Sequence, residues 1–240
     1  MKLLISLCTY NRLAYTKKTL RDIWATIEVP YYLVIVDNNS TDGTQDYISK
    51  LVGRNKADKV ILNDDNYYPG KATNIGWEAG LKEFDATHLM RLDNDMHLSR
   101  GWDTLAEDYF DKIPNLGQLG IDNDAITDPR AKLREMTING KTINPWPGCV
   151  GGPSIVRRTL YDNGLRYDET PWEGSRSKMQ EDSRLSSQVK SMGYLVGHMT
   201  DGLCWTFANK DNWKDYSDYY KKTMYDRGYD ENVTFIEGLK

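Results

Sequence analysis

The sequence predicts an α/β fold built on a mainly parallel sheet with helices on both faces. Short, continuous apolar runs of strand length recur through roughly the first hundred residues. Stretches with apolar residues at helical spacing stand between them. The connections are short, and strand–helix–strand units joined in this way build parallel sheets covered on both sides.

Leu3 to Cys8 is an uninterrupted apolar run, the pattern of a strand buried on both faces. Leu20, Ile23, Trp24 and Ile27 fall at i, i+3, i+4 and i+7, one stripe of an amphipathic helix that Pro30 closes. Leu33-Val34-Ile35-Val36 is a second buried strand, ending in the polar cluster Asp37 to Thr44, a loop with a helix start. A helix through Tyr47, Ile48 and Leu51 leads to a third strand, Lys59 to Leu62. Gly70 to Phe84 reads as a helix and Thr87 to Leu92 as a fourth strand. Ligands in such sheets bind beyond the carboxyl ends of the strands. The polar loops 9–12, 37–44 and 93–95 each follow a strand, so all three are expected on one edge.

The second half is less regular. A helix is expected from Gly101 to Lys112 and a strand from Leu116 to Ile121, while Asp122 to Asn144 reads as a hairpin or a mobile loop. Residues 145–153 are too rich in Pro and Gly for regular structure. Ser154 to Val156 is a short strand, Arg157 to Asn163 a short helix, and Glu181 to Met192 a helix stopped by Gly193. Tyr194 to Val196 is a last strand. Trp213, Tyr216, Tyr220 and Met224 fit one helix face, so the aromatic tail is expected to pack as a helix, with a dimer surface or a lid as alternatives. With no repeat or linker, the expectation is one domain over residues 1–240. It comprises a C-terminal helical extension (211–240) and two functional halves (1–98 and 99–210), which the family resemblance described below would make a nucleotide-sugar-binding half and an acceptor-side, catalytic half.

With 39% hydrophobic and 28% charged residues the chain reads as soluble and globular. A net charge of -4 without a long Lys/Arg run lacks the footprint of a duplex-binding protein. Cys8, Cys149 and Cys204 are few and widely spaced, which suggests neither a zinc site nor a disulfide framework. The apolar start is too short for a signal peptide and no stretch is long enough to span a bilayer, so the expected setting is cytoplasmic.

The fourth strand ends in Asp93-Asn94-Asp95. In extended backbone i and i+2 share a face, so Asp93 and Asp95 are placed to converge as a hard oxygen site for Mg²⁺ or Mn²⁺. The plain alternative is a polar turn after a buried strand.

Several stretches in order resemble one family. They are Ser6-Leu7-Cys8-Thr9-Tyr10-Asn11-Arg12, Val36-Asp37-Asn38-Asn39-Ser40-Thr41-Asp42-Gly43-Thr44, Leu92-Asp93-Asn94-Asp95 and Glu181-Asp182. Together they resemble glycosyltransferase family two, whose members have the Rossmann-like GT-A fold and use nucleotide-sugar donors. Asn66 to Gly76 resembles its Asn- and Gly-rich segment, with Tyr68 where Gly is common. Gly151 to Arg158, followed by Gly164 and Tyr167-Asp168-Glu169, resembles the segment before the family's acidic pair.

The resemblance implies a metal-dependent, inverting glycosyltransferase that moves a sugar from a nucleoside-diphosphate sugar, a UDP-sugar first among them, to an acceptor hydroxyl. It makes Asp93-Asn94-Asp95 a DXD motif, with Asp95 a direct ligand of Mn²⁺ or Mg²⁺ and Asp93 in the ribose or metal shell. It gives Thr9, Tyr10, Asn11, Arg12, Asp37 and Asn39 to the base and ribose of the donor. Helix capping by Thr9 or Asn11, and for Arg12 a solvated charge, remain the plain readings. Lys71 at a helix start suits phosphate, and Asn74 suits a loop-orienting role beneath the donor. Asp182 is assigned the base that deprotonates the acceptor, against the plain reading that Glu181 and Asp182 complement a helix dipole. Trp172 and Glu181 are acceptor-side candidates, because aromatic faces bind sugar rings. His198 suggests a metal ligand, but it sits off the expected place near Trp205-Thr206 and reads better as a packed histidine.

Two other readings compete. A sugar-phosphate nucleotidyltransferase needs a Gly-rich basic loop after the first strand, which Thr9-Tyr10-Asn11-Arg12 lacks. A non-catalytic nucleotide- or carbohydrate-binding module of the same fold has no need of both Asp93/Asp95 and Asp182. The acceptor stays open among glycan, lipid-linked sugar, protein and modified nucleic-acid base, as does the oligomeric state.

Overall fold

A computed structural model describes residues 1–122, 132–145, 148–171 and 181–238. Its centre is a seven-stranded sheet of mixed direction. β1 (Leu3–Thr9), β2 (Tyr31–Asp37), β3 (Lys59–Leu62) and β4 (His88–Asp93) run parallel, in the spatial order β4-β1-β2-β3. Helices α1 (Leu13–Thr26), α2 (Thr44–Ile48) and α3 (Tyr68–Leu81) make the crossovers. The register pairs Thr9 with Asp37 and Cys8 with Asp93. Three polar loops therefore open at one level of one edge, as the strand pattern predicts.

Strand alternation divides the core in two. Leu3, Ile5 and Leu7 pack with Leu20, Ile23 and Trp102 on one face, while Leu4, Val34, Val36 and Trp77 pack with Leu185 and Val189 on the other. The Trp77 indole is fully buried and its Nε1 donates to the Met90 carbonyl at 3.1 Å, satisfying its one polar atom. Helix α3 lies close on β1 because glycine faces the strand. A Cβ on Gly76 would stand 2.1 Å from Ser6 Oγ, and one on Gly80 2.6 Å from Leu4 Cδ1.

Beyond β4 the chain departs from simple alternation. β5 (Met96–Leu98), α4 (Trp102–Lys112) and β6 (Leu116–Gly120) follow, then the hairpin of β7 (Met136–Ile138) and β8 (Lys141–Ile143) within the stretch whose sequence was ambiguous. β9 (Ser154–Arg157) inserts antiparallel between β4 and β6. Helices α5 (Arg158–Asp162) and α6 (Glu181–Ser191) and edge strand β10 (Leu195–His198), parallel to β6, complete the sheet. β11 (Cys204–Thr206) pairs antiparallel with β5, a strand that no apolar run announced.

The tail corrects the expectation of one C-terminal helix. A 3₁₀ segment over 210–216 leads to α7 (Ser217–Asp226) and α8 (Asp230–Glu237). Gly228, at φ 70°, ends α7, with Gly228 N–H donating to Tyr225 O and Tyr229 N–H to Met224 O, a Schellman closure. Trp213, Tyr220, Met224 and Ile236 form the tail's own small core. No helix among the described residues is long and apolar enough to cross a membrane.

Candidate active site

The strand ends and the tail enclose a cavity of about 350 Å³. Thr9, Tyr10, Arg12, Asp93, Asn94 and Asp95 line its floor, joined by Asn38, Asn66, Arg91 and Asp122. Tyr219, Tyr220, Lys222 and Arg227 line the wall that the tail supplies.

The loop after β1 is held in a strained shape. Asn11 and Arg12 both adopt left-handed backbone, at φ 51° and 59°, a costly conformation for residues with a Cβ that a cross-linked neighbour must maintain. Asn11 N–H donates to Ser40 Oγ at 2.7 Å, Thr41 N–H to Asn11 Oδ1 at 2.9 Å and Leu13 N–H to Asp42 Oδ2 at 2.8 Å. Capping of α1 thus comes from Asp42, and neither Thr9 nor Asn11 plays that part.

Arg12 is not a solvated charge. It is buried, with Nη1 donating to Asp95 Oδ2 at 2.6 Å and Nη2 to Asn94 Oδ1 at 2.6 Å. Its guanidinium lies 4.3 Å from the centre of the Tyr219 ring, and Nη1 is 3.3 Å from Tyr220 Oη. Asn94 in turn donates to Asn11 O and Thr16 Oγ1, both at 2.9 Å, so it braces the loop.

The convergence argument for Asp93 and Asp95 needs correction, because the strand ends at Asp93 and the chain turns through Asn94 and Asp95. Same-face geometry operates one step earlier. Arg91 and Asp93 share a face, and Arg91 Nε donates to Asp93 Oδ1 at 3.1 Å. Arg91 Nη1 also donates to Asp182 Oδ1 at 2.7 Å, tying the first turn of α6 to the end of β4. Burial works against the Arg91 charge, but Asp182 and Asp93 hold its pKa well above the ordinary value. For Asp182, burial pushes the carboxyl up to about 6, against the downward pull of Arg91, while Glu181 and Asp93 add to the rise. A carboxyl tuned toward neutral pH and held by a fixed cation is suited to accepting a proton.

Other expected residues fall in different places. Asp37 is fully buried, and its two oxygens accept four hydrogen bonds, from Thr9 Oγ1, Ser40 N–H, Ser40 Oγ and Gln45 Nε2. That fills a carboxylate's acceptor capacity, so Asp37 shapes the loops and the expected direct hold on a base is corrected. Asn39 points away from the cavity, donating to Asp64 O at 3.0 Å, and its neighbour Asn38 lines the cavity instead. Lys71 lies 3.7 Å over the Tyr67 ring and, like Asp182, is not among the residues of the cavity lining. Asn74 exchanges hydrogen bonds with the Tyr167 backbone and donates to Glu169. Glu181 is buried beside Asp182, and Trp172 lies outside the described residues. His198 is buried and absent from the cavity lining, whereas Thr206 is part of it.

Arg91, Asn38 and the tail residues are what sequence reasoning missed. For Arg91 a signal existed: a lone cation inside the apolar strand His88-Leu89-Met90-Arg91-Leu92, two residues before Asp93. For Lys222 and Arg227 there was none, because only the folded tail brings them to the cavity.

The site's oxygen donors suit a hard divalent ion. Asp93, Asp95 and Asp122 all line the cavity, and Asp95 Oδ1 accepts no hydrogen bond from the described residues. Among the described residues no three His, Cys, Asp or Glu side chains gather to hold an ion unaided. An ion at Asp95 would complete its shell with phosphate oxygens and water, the usual arrangement for Mg²⁺ at nucleotides.

The family model described as "Glycosyl transferase family 2" matches residues 5–165. No curated protein matches the sequence. Among solved structures, mannosyltransferase PcManGT from Pyrobaculum calidifontis in complex with GDP-Man and Mn²⁺ is similar, with a TM-score of 0.68 and 16% identity over 94% of this chain and 62% of that one. S. aureus TarS 1-349 is similar at a TM-score of 0.64 and 20% identity, covering 94% and 65% of the two chains. Its complex with UDP-GlcNAc gives 0.63, 19%, 94% and 66%. At these identities the likeness is one of fold, and it matches the GT-A arrangement. The chain spans less than two thirds of the length of each neighbour.

Proposed function

The chain belongs to glycosyl transferase family 2, and from that premise we propose that it transfers a sugar from a nucleoside-diphosphate sugar to an acceptor hydroxyl with inversion at the anomeric carbon. The observation that carries this reading is the bridge from Asp93 through Arg91 to Asp182. It holds a carboxyl of raised pKa against Arg91 and Gly152, two residues of the cavity lining, and this supports a base at that position.

Asp182 takes the proton of the acceptor hydroxyl as that oxygen attacks the anomeric carbon. Arg91 keeps Asp182 oriented and favours its charged form, and the Gly152 N–H, 3.4 Å from Asp182 Oδ2, fixes the other oxygen. Attack from the side away from the diphosphate inverts the centre. Asp95, with Asp93 and Asp122 lining the same cavity, would hold Mn²⁺ or Mg²⁺, which would neutralise charge on the departing diphosphate. Tyr10 offers a face to the base, and Asn38 and Asn66 offer amide groups to base or ribose. Thr9 acts through Asp37, holding the loop that presents Tyr10. The cytoplasmic setting expected from the sequence belongs to the same proposal.

The test is thermal-shift screening of UDP- and GDP-sugars with and without Mn²⁺, since ligands raise apparent stability. A UDP-sugar is expected to give the largest shift. Asp95→Asn should abolish the part of the shift that depends on Mn²⁺. A wild-type protein unmoved by every nucleotide sugar would sink the donor assignment.

A further inference from the structure

A buried polar network lies behind Asp182, outside the cavity lining. Its centre is Gln118 on β6, a side chain with no exposed surface. Gln118 Nε2 donates to Ser154 Oγ on β9 at 3.2 Å, and its Oε1 accepts from Ser186 Oγ on α6 at 2.8 Å. Ser186 Oγ in turn accepts from the Val150 N–H at 3.0 Å, which leaves the Ser186 proton for Gln118. Ser154 and Ser186 are buried as deeply as Gln118.

The backbone is shaped to bring Gln118 there. Leu195 pairs with Leu116 but Val196 with Gln118, so Gly117 is an extra residue in β6. A bulge of this kind re-aims the side chains beyond it. Simple alternation would put Gln118 beside Leu116, in the core that contains Leu3 and Trp102. The bulge turns it instead to the face that α6 covers. Gly117 suits the bulge because a Cβ there would stand 2.6 Å from Val189 Cγ1 of α6. An apolar residue at 118 would avoid the cost of burying an amide. A fully satisfied polar network, by contrast, fixes one arrangement of the elements it joins.

The arrangement fixed here surrounds Asp182. Ser186 lies one turn after Asp182 on the same face of α6. Val150 begins the segment 150–152, whose Gly152 N–H lies 3.4 Å from Asp182 Oδ2. That segment passes close to two acids. A Cβ on Gly151 would meet Asp182 Oδ2 at 3.6 Å, and one on Gly152 would meet Asp93 Oδ2 at 3.4 Å. Through Ser186, Gln118 therefore holds both the helix that carries Asp182 and the segment that contacts its second oxygen.

We propose that Gln118 is a positioning residue for Asp182, acting through Ser186 and the segment 150–152. This rests on the reading of Asp182 as the base and extends the machinery to side chains outside the cavity.

The test is a set of variants of the full chain: Gln118→Met and Ser186→Ala, each alone and combined with Asp182→Asn. Tyr109→Phe is the control, since it removes a hydroxyl that donates to Thr142 O, another buried link. Turnover is read as UDP or GDP released from UDP- and GDP-sugars with Mn²⁺, water serving as the acceptor. Gln118→Met and Ser186→Ala should each lower kcat about tenfold or more with the donor KM unchanged, because small misplacements of a reacting group are costly. Neither should lower kcat further in the Asp182→Asn background, since residues acting as a unit are not additive. Tyr109→Phe should lose stability and keep its kcat. Unchanged kcat in Ser186→Ala, which deletes only a hydroxyl, would overturn the proposal even where Gln118→Met fails to fold. A full further loss on top of Asp182→Asn would also overturn it. A second readout needs no donor. In proton–nitrogen spectra, Asp182→Asn should shift the Gly152 amide, and shift it less in the Ser186→Ala background; an equal response in both backgrounds would overturn the proposal. A wild-type chain that releases no diphosphate from any nucleotide sugar counts against the transferase reading, while the Gly152 amide still decides the network.

Discussion

Arg91 and Arg12 each neutralise an aspartate at the end of β4, but they belong to regions of different construction. Arg91 sits in the sheet, under a core in which Leu3, Leu4, Ile5, Leu7 and Trp77 have no exposed surface. Its bonds join β4 to α6. Arg12 faces the tail, whose own core is Trp213, Tyr220, Met224 and Ile236, with Tyr225 and Phe235 left exposed. The floor's acids are thus fixed by a large packed body, while the wall is held by a few aromatic contacts. Regions with few buried apolar contacts open at lower free-energy cost, so the wall is the part able to admit a ligand. On the proposed mechanism, rigid geometry would serve proton transfer and the lightly held side would serve entry.

The sharpest break of this contrast is at Asp182. Asp182→Asn should lower kcat by about a hundred- to ten-thousandfold while donor binding stays intact, because a positioned base contributes on that scale. Normal turnover in that variant, measured with the acceptor once identified, would remove the base assignment. Next is Arg91→Met, which leaves Asp93 and Asp182 without their shared cation. Stability should fall by about 3 kcal/mol, the low end for a broken buried pair because both acids are a quarter exposed. A denaturant midpoint like that of the wild type would mean the bridge is not structural.

Gly76→Ala probes the packing beneath the floor. Its Cβ would clash with Ser6 Oγ and Val36, and a loss of about 1–3 kcal/mol in denaturant unfolding is expected. The pH profile sharpens the same region more gently. A base must be deprotonated to act, and the Asp182 pKa is raised to about 6. Activity should therefore fall about tenfold per pH unit below that value and level off above it. A limb near pH 4 would place the base elsewhere. The smallest effect concerns the wall: Trp213→Leu should speed amide exchange over 217–238 while β1 and β4 keep their protection. Equal acceleration in both regions would show that tail and sheet open as one unit.

Much of this was legible beforehand for a local reason. The strands over 3–9, 31–37, 59–62 and 88–93 are apolar runs closed by polar residues. Their order with the helices specified a parallel arrangement and hence the shared edge. Asp93, Asp95 and Asp182 were singled out from short motifs, and the structure brings Asp93 and Asp182 onto one arginine. Less legible was which groups face the cavity. Asp37 reads as a ligand-binding acid until its four donors are seen, and Asn38 and Asn39 are the same residue type with opposite destinations.

The sequence by itself therefore determined the elements, the edge on which the loops meet and the acids worth testing, because periodicity and turn chemistry act over a few residues. Tertiary structure alone decided the insertion of β9, the break in the tail and the pairing of each acid with its cation. Those pairings join residues far apart in the chain, 91 positions for Arg91 and Asp182 and 83 for Arg12 and Asp95. Their energies come from burial and proximity, which no local pattern encodes.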